Sequence, residues 1–249
     1  MGQDDEVRRS GRLRTLTRGL GELLVTGGVV VLLFVTYELF VTDLLNDRRQ
    51  AELDEQVQAE WRERPAGPAA AEPAVGAPLA VLYIPRLGAD YRRVVLEGTA
   101  EEQLSQGPGH YPGTARPGEQ GNVAIAGHRV GKGSPFLDLD RLVPGDPVVL
   151  ETADEWLTYR VLGDPVRGDF GADPSGIPGR QVILPTQLDV VSPTPDAAAD
   201  APASGAYLTL TTCHPRFSAR QRLVIHAVLD EAPVSKTEQP DGPPALRGR

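Results

Sequence analysis

The sequence predicts a mainly β fold, a barrel or a sandwich, behind one apolar helix. Three observations point there. Apolar runs of four to eight residues recur through the second half of the chain, separated by Gly- and Pro-containing turns. Helical periodicity is scarce in the same region. Near the start stands a stretch without charge from residue 23 to 37, too long for a strand.

Taken in order, residues 1–19 hold Arg8, Arg9, Arg12, Arg14 and Arg18. The apolar character then runs from Leu20 to about Val41, and about 22 residues at 1.5 Å rise cross a hydrocarbon layer of roughly 30 Å. Residues 20–45 are therefore expected to anchor the chain, with the basic segment on the cytoplasmic side and everything after it outside. A cleaved signal peptide shares these features, but the exit "VTDLLNDRRQ" offers no small-x-small cleavage site. Residues 46–78 read as a charged helical stalk followed by the Pro/Ala-rich linker "RPAGPAAAEPAVGAP".

A folded region is expected over residues 79–230. "LAVLYIPRLG" and "YRRVVLEG" read as two strands meeting near Gly88, and Thr99 with Glu102 has the spacing of a capping box for a short helix. "GNVAIAGHR" reads as a buried strand ending at His128. "SPFLDLDRLVPGD" reads as a helical turn, "PVVLE" and "LTYRVLG" as a hairpin, and "RQVILPT" as a further strand. "SPTPDAAADAPASG", residues 192–205, is a low-complexity loop, and "AYLTLTTC" and "QRLVIHAVL" are the last two strands. The polar, proline-containing end, residues 231–249, is expected to be disordered.

The formal net charge of −9 over 249 residues argues against a nucleic-acid partner. Of 25 cationic residues only Lys132 and Lys236 are lysine. Cys213 is the one cysteine, so it forms no internal disulfide and is either a packed side chain or a reagent. An oxidising compartment sharpens that choice, because structural cysteines there come in pairs.

Alternation along "YLTLTTC" places Leu208 and Leu210 on one face, and Thr209, Thr211 and Cys213 on the other. Arg222, Val224 and His226 share a face of the final strand. If the two strands pair antiparallel, the Arg222 guanidinium lies beside Cys213, where it can favour the thiolate and stabilise an oxyanion. The base is less determined: His110, His128, His214 and His226 are all candidates, and residue type alone favours His128 only slightly. His214 follows Cys213 directly and so projects to the opposite face, while His226 lies further along its strand and reads as structural.

"TLTTC" with the arginine of "RLVI" nine residues on, and "NVAIAGHR" upstream, resemble the signature of the sortase family over about residues 79–230. "GHYPGTARPGEQGNVAIAGHR" and "TTCHPRFSARQRLVIHA" are most similar to class E sortases of high-GC Gram-positive bacteria. The resemblance implies a closed β-barrel of about eight strands with short helices, and Cys213 as nucleophile, His128 as general acid/base and Arg222 as oxyanion holder. It further implies cleavage of a C-terminal sorting signal between Thr and Gly, a thioester, and transfer to a cell-wall peptide amine. The partners are then secreted proteins bearing that signal, a peptidoglycan precursor or cell-wall amine, and the membrane. No metal or other cofactor is implied. Class E is associated with a signal like Leu-Ala-x-Thr-Gly, and Tyr111 stands where the tyrosine linked to that preference is expected. Thr211 shares the face of Cys213 and is expected to line the cleft, with ordinary strand packing as the plainer reading. "AEPAVGAP" lacks the aromatic anchor of a pilin-type lid, so neither pilus polymerisation nor an autoinhibitory lid is expected. Two other readings stay open: a cysteine hydrolase on the same scaffold, and a non-catalytic surface module with a packed thiol.

Overall fold

The computed structural model describes residues 3–37, 42–63 and 73–247. Two compact units result, residues 1–43 and 44–249. The first holds helix α1 (Gln3–Thr36), whose stretch Arg18–Thr36 has a mean hydropathy of 2.0 and buries none of its residues. Length and composition suffice for a membrane crossing. Of the expected span 20–45, residues 38–41 lie outside the described residues, and the final part belongs already to helix α2 (Thr42–Glu63).

The second unit is built on ten strands. These are β1 (Pro78–Tyr83), β2 (Arg92–Glu97), β3 (Gly109–His110), β4 (Gly121–Ala126), β5 (Pro147–Glu151), β6 (Glu155–Val161), β7 (Arg180–Ile183), β8 (Ala206–His214), β9 (Gln221–Leu229) and β10 (Val234–Ser235). Their order is β10-β6-β5-β1-β2-β3-β4-β8-β9-β7, and an added β6–β9 pairing closes eight of them into a barrel, leaving β7 and β10 as flanking strands. Closure pairs each of the eight barrel strands on both sides, so that they offer no open edge to template aggregation.

Period-two alternation explains the core. Leu82, Leu150, Leu157, Tyr159, Ile125, Leu208, Leu210 and Ile225 project inward and are fully buried, and Phe136, Leu139 and Leu142 pack against the same core from the loop before β5. The hairpin β5–β6, the helical turn Leu139–Arg141 and strands β1, β2, β7, β8 and β9 fall where the sequence places them.

Four features differ from the expectation. The short helix α3 (Glu101–Leu104) starts after Ala100 with no side-chain cap, so the Thr99–Glu102 box does not form. β4 stops at Ala126, two residues short of His128. α2 is no free stalk: Leu53, Val57 and Trp61, spaced by four, form an apolar stripe that packs on Val81, Val94 and Leu96. The buried amides of Asn46 and Gln50 donate to the Ser105 and Gln106 carbonyls at 2.8 and 2.7 Å. β1 is thus covered on both faces. Of the expected linker, residues 64–72 lie outside the described residues.

The C-terminal segment, expected as disordered, is laid along the barrel, with only residues 248–249 outside the described set. β10 pairs with Trp156 and Glu155 of β6, and the Trp156 indole N–H donates to the Gln239 carbonyl at 3.0 Å. Polar composition carries no signal of this, because backbone hydrogen bonds and one lysine do the docking. Lys236 Nζ lies 2.7 Å from Glu151 Oε1 and 4.8 Å from the centre of the Trp61 ring, tying the tail to the barrel and to α2. Glu151 is buried and also accepts from Tyr83 Oη at 2.6 Å and Gln58 Nε2 at 2.9 Å. Lys236→Met keeps the apolar stem but leaves that carboxylate without its cation. It is expected to cost about 2 kcal/mol, between the values for buried and surface pairs. Denaturant titration measures the loss, and faster proteolysis within α2 accompanies it.

Candidate active site

β8 and β9 are antiparallel neighbours, and their register places Cys213 directly opposite Arg222. Residues opposite one another in such a pair share a face. The same register sets Thr211 against Val224 and Thr209 against His226, so one outer face of the barrel carries all six. Leu208, Leu210, Leu223 and Ile225 fill the other face, the interior. Local alternation therefore decides which side chains leave the core, and the β8–β9 pairing decides which of them meet.

β4 lies on the other side of β8, parallel to it, with Ala126 level with Thr211. The pairing continues past the end of β4: Gly127 N–H donates to the Thr211 carbonyl at 3.0 Å, and Thr212 Oγ1 donates to the Gly127 carbonyl at 2.8 Å. This carries His128 to the level of Cys213. Gly127 is needed there because a Cβ would stand 2.5 Å from the Phe136 ring. Phe136 N–H in turn donates to the His128 carbonyl at 3.0 Å, fixing the chain just beyond the strand. His128 and Arg222 thus flank Cys213 from the two neighbouring strands.

The four histidines differ in what holds them. His110 is buried, with Nδ1 2.7 Å from Glu97 Oε2 and Nε2 within 3.0 Å of the Thr114 hydroxyl and Ala115 carbonyl. His226 is fully buried between Thr209 Oγ1 at 2.8 Å and Gln181 Nε2 at 3.1 Å, and burial drives its pKa down to about 3, so the ring is neutral. His214 Nδ1 accepts from Arg129 Nη1 at 3.0 Å on the face away from the thiol. His128 is the exception: its Nε2 has no hydrogen-bond partner, and a carboxylate oxygen of Glu101 lies 3.9 Å from it. Burial lowers its pKa below 6.5, which keeps the imidazole a neutral base at pH 7.

Cys213 is half-buried, so the thiol is neither sealed in the core nor fully in water. The Arg222 guanidinium is held at the turn by the carbonyls of Ala219 and Gln221 at 3.0 and 3.1 Å. Both of those bonds use Nη1. Tyr111 and Thr211, expected separately from sequence, are brought together, with Tyr111 Oη 2.9 Å from Thr211 Oγ1.

Two residues escaped the sequence reading. Arg129 is 3% exposed and ion-pairs with Asp140 at 2.9 Å while bonding His214, so it clamps the segment after His128 to the end of β8. Its position next to His128 was the available signal, but an arginine in that place reads as solvated. Glu101, in α3, reaches His128 across a separation no local pattern reveals. Among the described residues no group of three or more His, Cys, Asp or Glu side chains is placed to ligate a metal ion.

A thiol, a neutral imidazole and a guanidinium at one level of three adjacent strands can carry out acyl transfer. Comparison with known proteins shows the family to which the chain belongs. The sequence model of the Sortase domain matches residues 82–230. Sortase SrtE1 of Streptomyces coelicolor is 33% identical over 245 residues, which cover 93% of this chain and 64% of that protein, so the chain spans less than two thirds of that relative's length. The SrtF sortase from Corynebacterium diphtheriae superposes with a TM-score of 0.66 at 34% identity, over 75% of this chain and all of that one. Sortase E from Streptomyces avermitilis does so with a TM-score of 0.56 at 39% identity, over 70% of this chain and 99% of that one. The chain belongs to the sortase family, and within it to the class E type.

Proposed function

We propose that this protein is a membrane-anchored cysteine transpeptidase that cleaves a C-terminal sorting signal between Thr and Gly and joins the new carboxyl end to a cell-wall peptide amine. The observation that carries the reading is the register pairing of Cys213 with Arg222, with His128 brought level from β4. In this reading His128 takes the thiol proton, and the Cys213 sulfur attacks the Thr carbonyl carbon. Arg222 stabilises the oxyanion. The C–N bond then breaks as His128 returns the proton to the departing glycine amine, leaving a thioester and a neutral imidazole. An incoming amine resolves the thioester.

Tyr111 and Thr211 form the wall met by the residue before the x-Thr-Gly of the signal, with Leu-Ala-x-Thr-Gly as the preferred form. The helix α1 holds the enzyme in the membrane, its basic start cytoplasmic and its barrel outside, where secreted proteins and peptidoglycan precursors are found.

The test uses the full chain in detergent micelles with two quenched fluorescent peptides, one carrying Leu-Ala-x-Thr-Gly and one Leu-Pro-x-Thr-Gly, each with and without an amine. Cleavage of the alanine peptide with an amine-dependent ligated product is expected. Preference for the proline peptide would leave a sortase and remove the signal assignment. Cleavage that never yields ligated product would make the protein a hydrolase.

A further inference from the structure

Transpeptidation needs a second substrate, an amine that is a primary ammonium at neutral pH. Glu101 stands at the first position of α3, with its side chain exposed and one carboxylate oxygen 3.9 Å from His128 Nε2. That separation is much shorter than two hydrogen bonds end to end, about 5.8 Å, so one nitrogen can bond both groups at once. The other carboxylate oxygen already receives an ammonium, that of Lys132.

Lys132 is placed there by an unusual loop. Gly131, Lys132, Gly133 and Ser134 are consecutive residues at positive φ, 75°, 54°, 78° and 41°. Lysine is disfavoured in that region, where glycine or asparagine is the usual choice. Lys132 is also one of only two lysines among 25 cationic residues. The other, Lys236, is a docking group, so neither ammonium is a bystander.

We propose that the Glu101 carboxylate is the docking site for the primary ammonium of the acceptor, and that Lys132 occupies it until an acceptor displaces it. The inference rests on the transpeptidase reading and adds to it the place where the second substrate binds. The docked ammonium loses one proton to solvent. As the amine nitrogen bonds to the thioester carbonyl carbon, its second proton passes to neutral His128. The C–S bond breaks, and the Cys213 sulfur leaves as a thiolate beside the new imidazolium. One acidic side chain thus holds the nucleophile next to the base that must receive its proton.

The experiment measures ligation by the full chain in detergent, varying the peptide and the amine separately. Glycinamide serves as the α-amine probe and Nα-acetyl-lysine amide as the ε-amine probe. Glu101→Gln is expected to raise the amine KM about threefold to fivefold, as an ion pair open to solvent warrants, with the peptide KM moving less than about twofold. Lys132→Asn, which suits the loop backbone, is expected to lower the amine KM by a similar factor, because the competing ammonium is gone. An unchanged amine KM for both probes in Glu101→Gln overturns the proposal. So does a displaced acid limb of amine-free cleavage with no change in amine KM, which would assign Glu101 to His128 alone. Wild-type protein that cleaves neither peptide would remove the transpeptidase reading itself, whereas normal wild-type ligation with these variant results removes only the docking site.

Discussion

Cys213→Ala is expected to abolish peptide cleavage, with a loss on the order of 10⁴ or more, because in the proposed mechanism it removes the atom that forms the covalent intermediate. The fold survives the change, since the side chain is only half-buried and β8 keeps its full pairing with β4 and β9. Mass spectrometry is the sharper readout. Wild-type protein mixed with a sorting peptide in the absence of amine is expected to gain the mass of the acyl fragment, and the variant none. Iodoacetamide is expected to inactivate the wild type in parallel. Retained cleavage in the variant, or a thiol that resists alkylation in the folded protein, would return Cys213 to the status of a packed side chain.

Arg222→Ala is expected to lower kcat for peptide cleavage by about 10² to 10³, the usual consequence of removing one oxyanion donor. Two carbonyls of the turn orient the guanidinium through one of its nitrogens, leaving the others to a developing charge. Arg222→Lys recovers little of the loss, because an ammonium keeps the charge without the planar fork. Steady-state kinetics checks both, with kcat falling and KM for the peptide moving much less. The melting temperature is expected to shift little, since Arg222 is only half-buried at the start of β9. A variant that loses stability and activity together would make Arg222 a structural residue of the turn.

How much of this was readable beforehand depends on how far apart the interacting residues lie. Leu208, Leu210, Thr209, Thr211 and Cys213 sort themselves to two faces by alternation within one strand, and the structure keeps that sorting. The Cys213–Arg222 pairing spans a short connection, so it too could be anticipated. The level at which His128 meets Cys213 could not. β4 and β8 are parallel strands far apart in sequence, and their register rests on the whole intervening chain packing correctly. The same holds for α2. Its stripe of Leu53, Val57 and Trp61 is present in the sequence, but a surrounding excess of charge hides it until β1 and β2 supply the surface it covers.

The sequence by itself determined the candidate residues and their order: a single thiol at the end of a strand, an arginine nine residues on, a histidine upstream and an apolar helix long enough for a membrane. These follow from residue type and from short-range periodicity, which the backbone geometry imposes locally. Tertiary structure alone decided that Tyr111 bonds Thr211, that Lys236 ties the tail and α2 to the barrel, and that Glu101, paired with Lys132, comes to stand beside His128. Such contacts join segments whose separation in sequence no local preference spans, and they exist only once barrel closure has brought those segments together.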